Sequence, residues 1–137
     1  MLICIDSCVF IQGFQKTDDA AVHLLDSINP ALNLVIPRLI AQEVTRNLTT
    51  QEQVRHFYRL FSQRNFCLIV DEPVPSQLVQ KYIELGLRTK ADAYIGAFCE
   101  WMQIHYLVSD NRHFLREVNS QAYQITDAHN LLSVLGF

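Results

Sequence analysis

Short apolar runs alternate along the chain with longer stretches in which apolar residues recur every three or four positions. The runs Leu2-Ile3-Cys4-Ile5, Leu34-Val35-Ile36, Phe66-Cys67-Leu68-Ile69-Val70 and Tyr106-Leu107-Val108 predict buried strands, and Tyr123-Gln124-Ile125 predicts a short fifth. Between them lie helical patterns. Residues 7 to 14 predict one helix, and Thr17 or Asp18 is placed to cap a second that runs to Ser27. Pro37 suits the first turn of a third helix through Leu48, with Leu39, Ile40, Val44 and Leu48 at helical spacing. Thr49 or Thr50 caps a fourth, with Glu52 in its first turn and Phe57, Leu60 and Phe61 on its apolar face. Two more helices are predicted over roughly 75 to 86 and 90 to 104, with Gly86 as the stop between them. The tail TDAHNLLSVLGF reads as a capped final helix. Near-continuous apolar strands separated by helices predict an α/β fold, a parallel sheet covered on both faces.

Composition sharpens this picture. The chain has 137 residues, half of them hydrophobic and 18% charged, which predicts a single globular domain over residues 1 to 137. There is no repeat, low-complexity tract or linker. The formal charge of −3 and the pI of about 5.9 exclude a protein that binds nucleic acid by bulk basic charge. A polyanion would have to be met by a local basic patch or by metal ions. Cys4, Cys8, Cys67 and Cys99 form no C-x-x-C pair, and all four are read as reduced core residues. MLICIDS lacks a basic leader region, and no apolar run reaches the roughly 18 residues of a membrane span. The expectation is a soluble, cytoplasmic protein that does not engage the membrane.

In parallel α/β sheets ligands bind beyond the carboxyl ends of the strands, near the topological switch point. Asp6 follows the first predicted strand, and Asp110 follows the fourth by one residue. Either suits a helix cap as well as a catalyst. Glu43 borders the buried face of the third helix, where a carboxylate is costly unless paired, with Arg46 for instance, or bound to metal. Asp92 sits three residues after Thr89, a capping-box-like arrangement that also aims its first turn at the strand ends. Ala93, Gly96 and Ala97 are small enough to let this helix approach the sheet closely. Four acids are thus expected near one edge. Clustered carboxylates repel unless a cation sits among them. Hard oxygen donors suit Mg²⁺ or Mn²⁺, which activate water and neutralise charge on a phosphodiester.

Four motifs in order carry a resemblance: I-D-S after the first strand, P-x-x-I-x-x-E-V from Pro37, K-A-D-A-Y-I-G-A from Lys90 and L-V-S-D-N-R-H-F from Leu107. Together they resemble a PIN domain over Leu2 to about Thr126. The resemblance implies a three-layer α/β/α sandwich around a parallel sheet and an Mg²⁺- or Mn²⁺-dependent ribonuclease, in many small members the toxin of a toxin–antitoxin pair. It matches Asp6, Glu43 and Asp92 to the acids that hold the cation, Ser7 to the hydroxyl beside the first acid, and Ser109 to the hydroxyl ending the fourth strand. A fourth acid, sometimes replaced by Asn, falls two residues after that hydroxyl. That register lands on Asn111, one residue past Asp110. The implied substrate is RNA, with Lys90, Arg112, Arg46 and Arg88 as candidates to grip phosphates. The implied partners are a small antitoxin protein and a second copy in a homodimer. Phe10, Phe14, Phe57 and Phe61 offer a dimer face, although core packing explains them equally well.

Competing readings remain in view. A housekeeping RNA-processing PIN nuclease shares the same core, and a silent binding module would keep the fold without the metal. A receiver-type phosphoacceptor needs paired early acids and a late Lys, which this chain lacks around Asp6 and after Leu107. His113 and His129 are read as structural, and Asp127 as a helix cap. Tyr94, Phe98 and Trp101 recur at helical spacing as core or interface positions.

Overall fold

The computed structural model describes residues 1–62, 65–87, 89–111, 114 and 122–137. In chain order its elements are β1 (Leu2–Ile5), α1 (Ser7–Phe14), α2 (Asp19–Asp26), β2 (Asn33–Pro37), α3 (Arg38–Asn47), α4 (Gln51–Ser62) and β3 (Cys67–Val70). These are followed by α5 (Ser76–Glu84), α6 (Lys90–Trp101), β4 (Tyr106–Val108), β5 (Gln124–Thr126) and α7 (Ala128–Leu135). Every strand pairing is parallel, in the order β3-β2-β1-β4-β5.

That order fixes where a ligand can bind. Right-handed crossovers carry the chain from β1 through β2 to β3 in one direction, which puts α1 to α4 on one face. The return to β4 and on to β5 runs the other way and puts α5 and α6 on the opposite face. The helix contacts agree: α1 packs on α2 and α3, α5 packs on α6, and α7 returns to α2. The direction reverses between β1 and β4, so the crevice at their carboxyl ends is the switch point.

Local chemistry explains the element boundaries. Asp18 accepts from Ala20 N at 2.9 Å and caps α2, and Thr50 accepts from Gln53 N at 3.1 Å at the start of α4. Thr89 accepts from Asp92 N at 3.1 Å and caps α6, and Asp127 accepts from Asn130 N at 2.7 Å at the start of α7. Pro37 ends β2 with an extended backbone, so α3 begins one residue later than expected. Gly86, at φ +112, supplies the left-handed turn that separates α5 from α6. α6 ends at Trp101 rather than 104, because Gln103 takes a left-handed φ of 55° and turns the chain into β4. β5 starts one residue later than its apolar pattern indicated.

The core is built from Ile3, Cys4 and Ile5 of β1, Leu34 and Ile36 of β2, and Leu107 and Val108 of β4. Val9 and Phe10 of α1, Ile40 and Val44 of α3, and Ile95 and Phe98 of α6 pack against them. The small residue Gly96 serves α5 rather than the sheet: a Cβ there would lie 2.7 Å from the Tyr82 ring. Phe10 and Phe57 are fully buried and pack edge to face at 5.3 Å, with Phe14 and Phe61 around them. Core packing therefore accounts for Phe10 and Phe57, which offer no dimer face. No helix among the described residues is long and apolar enough to cross a membrane.

Candidate active site

Asp6 extends β1 by one ladder bond, its N–H donating to Val108 O at 2.9 Å. Ser109 extends β4 in the same way, donating to Thr126 O at 2.9 Å. Parallel pairing of β1 with β4 thus sets these two polar residues side by side above an apolar sheet. Both are buried, Asp6 at 6% exposure and Ser109 at 0%.

A continuous chain of hydrogen bonds starts from this pair. Ser109 Oγ donates to Asp6 Oδ2 at 2.8 Å, and Ser7 N donates to Asp6 Oδ1 at 2.8 Å. Ser7 Oγ reaches across to α3 and donates to Glu43 Oε2 at 2.8 Å. On the other side, Asn111 N donates to Ser109 Oγ at 2.9 Å, and the Asn111 amide lies 3.4 Å from both carboxylate oxygens of Asp92. Three acids from β1, α3 and α6 are therefore linked through two hydroxyls and one amide. They line one cavity of about 310 Å³ together with Ser7, Cys8, Asp110 and Asn111.

The capping roles turn out to be compatible with a site. Asp6 does cap α1, but with one oxygen only. Asp92 contributes its backbone N–H to the Thr89 cap, which leaves its carboxylate to face Asn111. Glu43 bonds Ser7, and among the described residues no ion pair joins it to Arg46. At the end of β4, Asp110 and Asn111 both line the acid cavity but face different ways. Asn111 turns inward to Asp92, whereas Asp110 is exposed on the rim, where it also borders a cleft containing Asp127 and His129.

Burial pushes the Asp6 carboxyl above its ordinary range, and the neighbouring charges of Glu43 and Asp92 push the same way. The bonds from Ser109 and Ser7 oppose this only in part. Among the described residues no Lys or Arg pairs with Asp6, Glu43 or Asp92. A buried carboxylate facing like charges, with oxygen donors around it, is a setting that a hard divalent cation would relieve. Yet among the described residues no three His, Cys, Asp or Glu side chains converge on a single point. The donor set therefore fits an ion held through one or two carboxylates that keeps several waters, as Mg²⁺ does. Among the described residues it does not form an all-protein cage.

Cys8 corrects the reading of all four cysteines as core. Cys4, Cys67 and Cys99 are buried, but Cys8 is half-buried, lines the acid cavity and lies 3.9 Å from Asp6 Oδ2. Its place in the first turn of α1, two residues after Asp6, was the available signal. Burial, with Asp6 adding, pushes its thiol up to about 11, so it enters the site protonated at neutral pH. Of the proposed phosphate contacts, Arg46 is exposed one turn beyond Glu43, and Lys90 borders a neighbouring groove rather than the acid cavity. Arg88, Arg112 and His113 lie outside the described residues.

No curated protein sequence matches the chain significantly. Solved structures do. The chain is similar to VapBC2 from Rickettsia felis bound to a promoter DNA fragment, at 13% identity and TM-score 0.64, covering 93% of this chain and 98% of the other. It is also similar to VapC20 of Mycobacterium tuberculosis, described as a Sarcin-Ricin loop cleaving toxin, at 14% identity and TM-score 0.60, covering 86% and 98%. The PIN domain of RRP44 from T. brucei matches at 9% identity and TM-score 0.61, covering 98% and 80%. At these identities the likeness is one of fold. The family model for the PIN domain matches residues 3–119, a span that takes in Asp6, Glu43, Asp92, Ser109 and Asn111. On that match, over most of its length, the chain belongs to the PIN domain family.

Proposed function

We propose that this protein is a metal-dependent endoribonuclease and the toxin of a toxin–antitoxin pair. The observation that carries the reading is the hydrogen-bonded row of Glu43, Asp6 and Asp92 at the switch point, with no cationic partner among the described residues. Membership of the PIN domain family supports hydrolysis of RNA, and the likeness to VapBC2 and VapC20 supports a toxin role with a small antitoxin partner.

Asp6, Glu43 and Asp92 would hold Mg²⁺ or Mn²⁺, directly or through water. Bound there, the cation would supply Lewis-acid activation of water and neutralise charge on the phosphodiester. The protein's own residues do the positioning. Ser109 fixes the rotamer of Asp6, Ser7 fixes Glu43, and Asn111 holds Asp92 without adding a fourth charge. The apolar sheet beneath Asp6 keeps bulk water from its buried side. No side chain needs to form a covalent intermediate. Such a toxin would act in the cytoplasm, as a homodimer in the assembly the family resemblance implies.

The reading is tested by incubating the purified protein with total RNA and Mn²⁺, with and without a chelator, beside Asp92→Asn. Cleavage that needs the metal and is lost in Asp92→Asn upholds the nuclease. Induced expression should then arrest growth, and co-expression of the adjacent small gene should relieve the arrest. Normal growth with soluble, active protein would leave the nuclease and remove the toxin.

A further inference from the structure

A second cavity, of about 370 Å³, lies beside the acid cavity in the crevice between α3 and α6. Gln42 lines it next to Glu43 of the acid cavity, and Ala91 lines it next to Asp92. On each wall, the residues that line the two cavities are neighbours in sequence. Their chemistry differs sharply. Leu39, Val70, Ala91 and the ring of Tyr94 give the second cavity mostly apolar walls. Tyr94 Oη accepts from Val74 N at 3.1 Å, which holds the ring in place. Gln42 is exposed at the rim and offers both a donor and an acceptor.

Charge also changes sign between the two cavities. Lys90 stands exposed at the mouth, and among the described residues it has no ion-pair partner. Arg38 lines the far side, gripped by Asp71 through bonds of 2.7 and 3.2 Å. An acidic site thus adjoins a mostly apolar groove, walled in part by an aromatic ring, with a cation at its lip. Single-stranded nucleic acid presents the complementary set of groups: a stackable base face, a polar base edge and a phosphate on either side.

We propose that this groove seats the nucleobase next to the scissile phosphate of an RNA substrate. Tyr94 and Leu39 pack on the base face, Gln42 reads its edge, and Lys90 meets the flanking phosphate. The groove therefore sets which nucleotide adjoins the cut. This rests on the nuclease reading of the acid cavity, and the test keeps the two apart.

The four nucleoside 5′-monophosphates are titrated into the isotope-labelled, metal-free protein and followed by NMR. The proposal expects shifts at the Gln42 side-chain amide, the Leu39 methyls and the Tyr94 ring, with one base preferred. Gln42→Ala, at an exposed position, should flatten that preference by about tenfold. Shifts confined to other surfaces, or four affinities that Gln42→Ala leaves within about twofold, would overturn it. RNAs that differ in one base beside the cut supply the second arm. Cleavage by the wild type with a neighbour preference that Gln42→Ala and Tyr94→Leu both leave unchanged would sink the subsite and spare the nuclease. Inert RNA together with nucleotide seated in the groove would sink the nuclease and spare the nucleotide site. A groove that ignores all four nucleotides and takes up only an antitoxin peptide would likewise overturn the proposal.

Discussion

Two cavities open at opposite ends of the same sheet, and the smaller one gathers the acids. At the amino ends of β4 and β5 a cavity of about 800 Å³ is lined by Gln103, His105, Tyr123, Gln124 and one acid, Glu100. That acid is already satisfied, accepting from Lys81 Nζ at 2.7 Å and Tyr82 Oη at 3.2 Å. At the carboxyl ends of β1 and β4 the cavity is about 310 Å³ and gathers Asp6, Glu43 and Asp92. Among the described residues these acids meet hydroxyls and amides rather than ammonium or guanidinium groups. Volume reports where the surface is hollow. Uncompensated charge, held in place by neutral donors, reports where a cation and a phosphate would be welcome.

The largest effects should come from exchanging charge at the two ends. Asp6→Asn or Asp92→Asn should lower RNA cleavage about a thousandfold or more, since each removes charge from the cation site. Glu100→Gln at the other end should leave cleavage within about twofold, because its partners are structural. Cleavage rates on one labelled RNA decide this, and equal losses at both ends would erase the distinction.

The neutral donors come next. Ser109→Ala removes the hydroxyl that orients Asp6 and should weaken Mn²⁺ affinity by about tenfold to a hundredfold, read by titration calorimetry. A Ser109→Ala protein with wild-type affinity would show that the row of hydrogen bonds does not organise the site. Smaller again, Asn111→Ala should cost about tenfold in cleavage and Asp110→Asn at most about threefold, because Asn111 faces Asp92 while Asp110 sits on the rim. The reverse ranking would return the fourth site position to Asp110.

Stability supplies the smallest and most independent check. The Asp6 carboxyl sits above its ordinary range because it is buried, with Glu43 and Asp92 adding. The folded, metal-free protein therefore holds that proton more tightly than the unfolded chain does. The stability this group contributes falls as pH rises from the ordinary carboxylate range through the raised value. Asp6→Asn removes the loss. In chelator at neutral pH it should raise the melting temperature by roughly 3–6 °C, on the order of 1 kcal/mol. The gain should shrink as pH falls through the raised value into the ordinary carboxylate range. A variant that melts below the wild type under these conditions would mean that Asp6 serves the fold as a cap rather than a cation site.

Much of this architecture is legible in the sequence, because its causes are local. The apolar runs of β1, β2 and β4 and the caps Asp18, Thr89 and Asp127 each act within a few residues. What was not legible depends on contacts far along the chain. Nothing local ends α6 at Trp101; the left-handed Gln103 there follows from the turn into β4. The inward turn of Asn111 depends on Ser109 pairing with Thr126, a residue of the next strand. Composition places Cys8 in the core, whereas its position two residues after Asp6, in a helix that starts at the strand end, puts it in the cavity wall. Asp6, Glu43 and Asp92 were visible as candidates because acids after buried strands and on half-buried helix faces are chemically expensive. Their connection through Ser7, Ser109 and Asn111 needed the fold.

The central claim is that acids from β1, α3 and α6 share one divalent cation. The direct test is calorimetric titration of Mn²⁺ into wild type, Asp6→Asn, Asp92→Asn and Glu100→Gln. The account predicts binding by the wild type and Glu100→Gln that both aspartate substitutions abolish. No binding by the wild type, or binding that neither aspartate substitution alters, would contradict it.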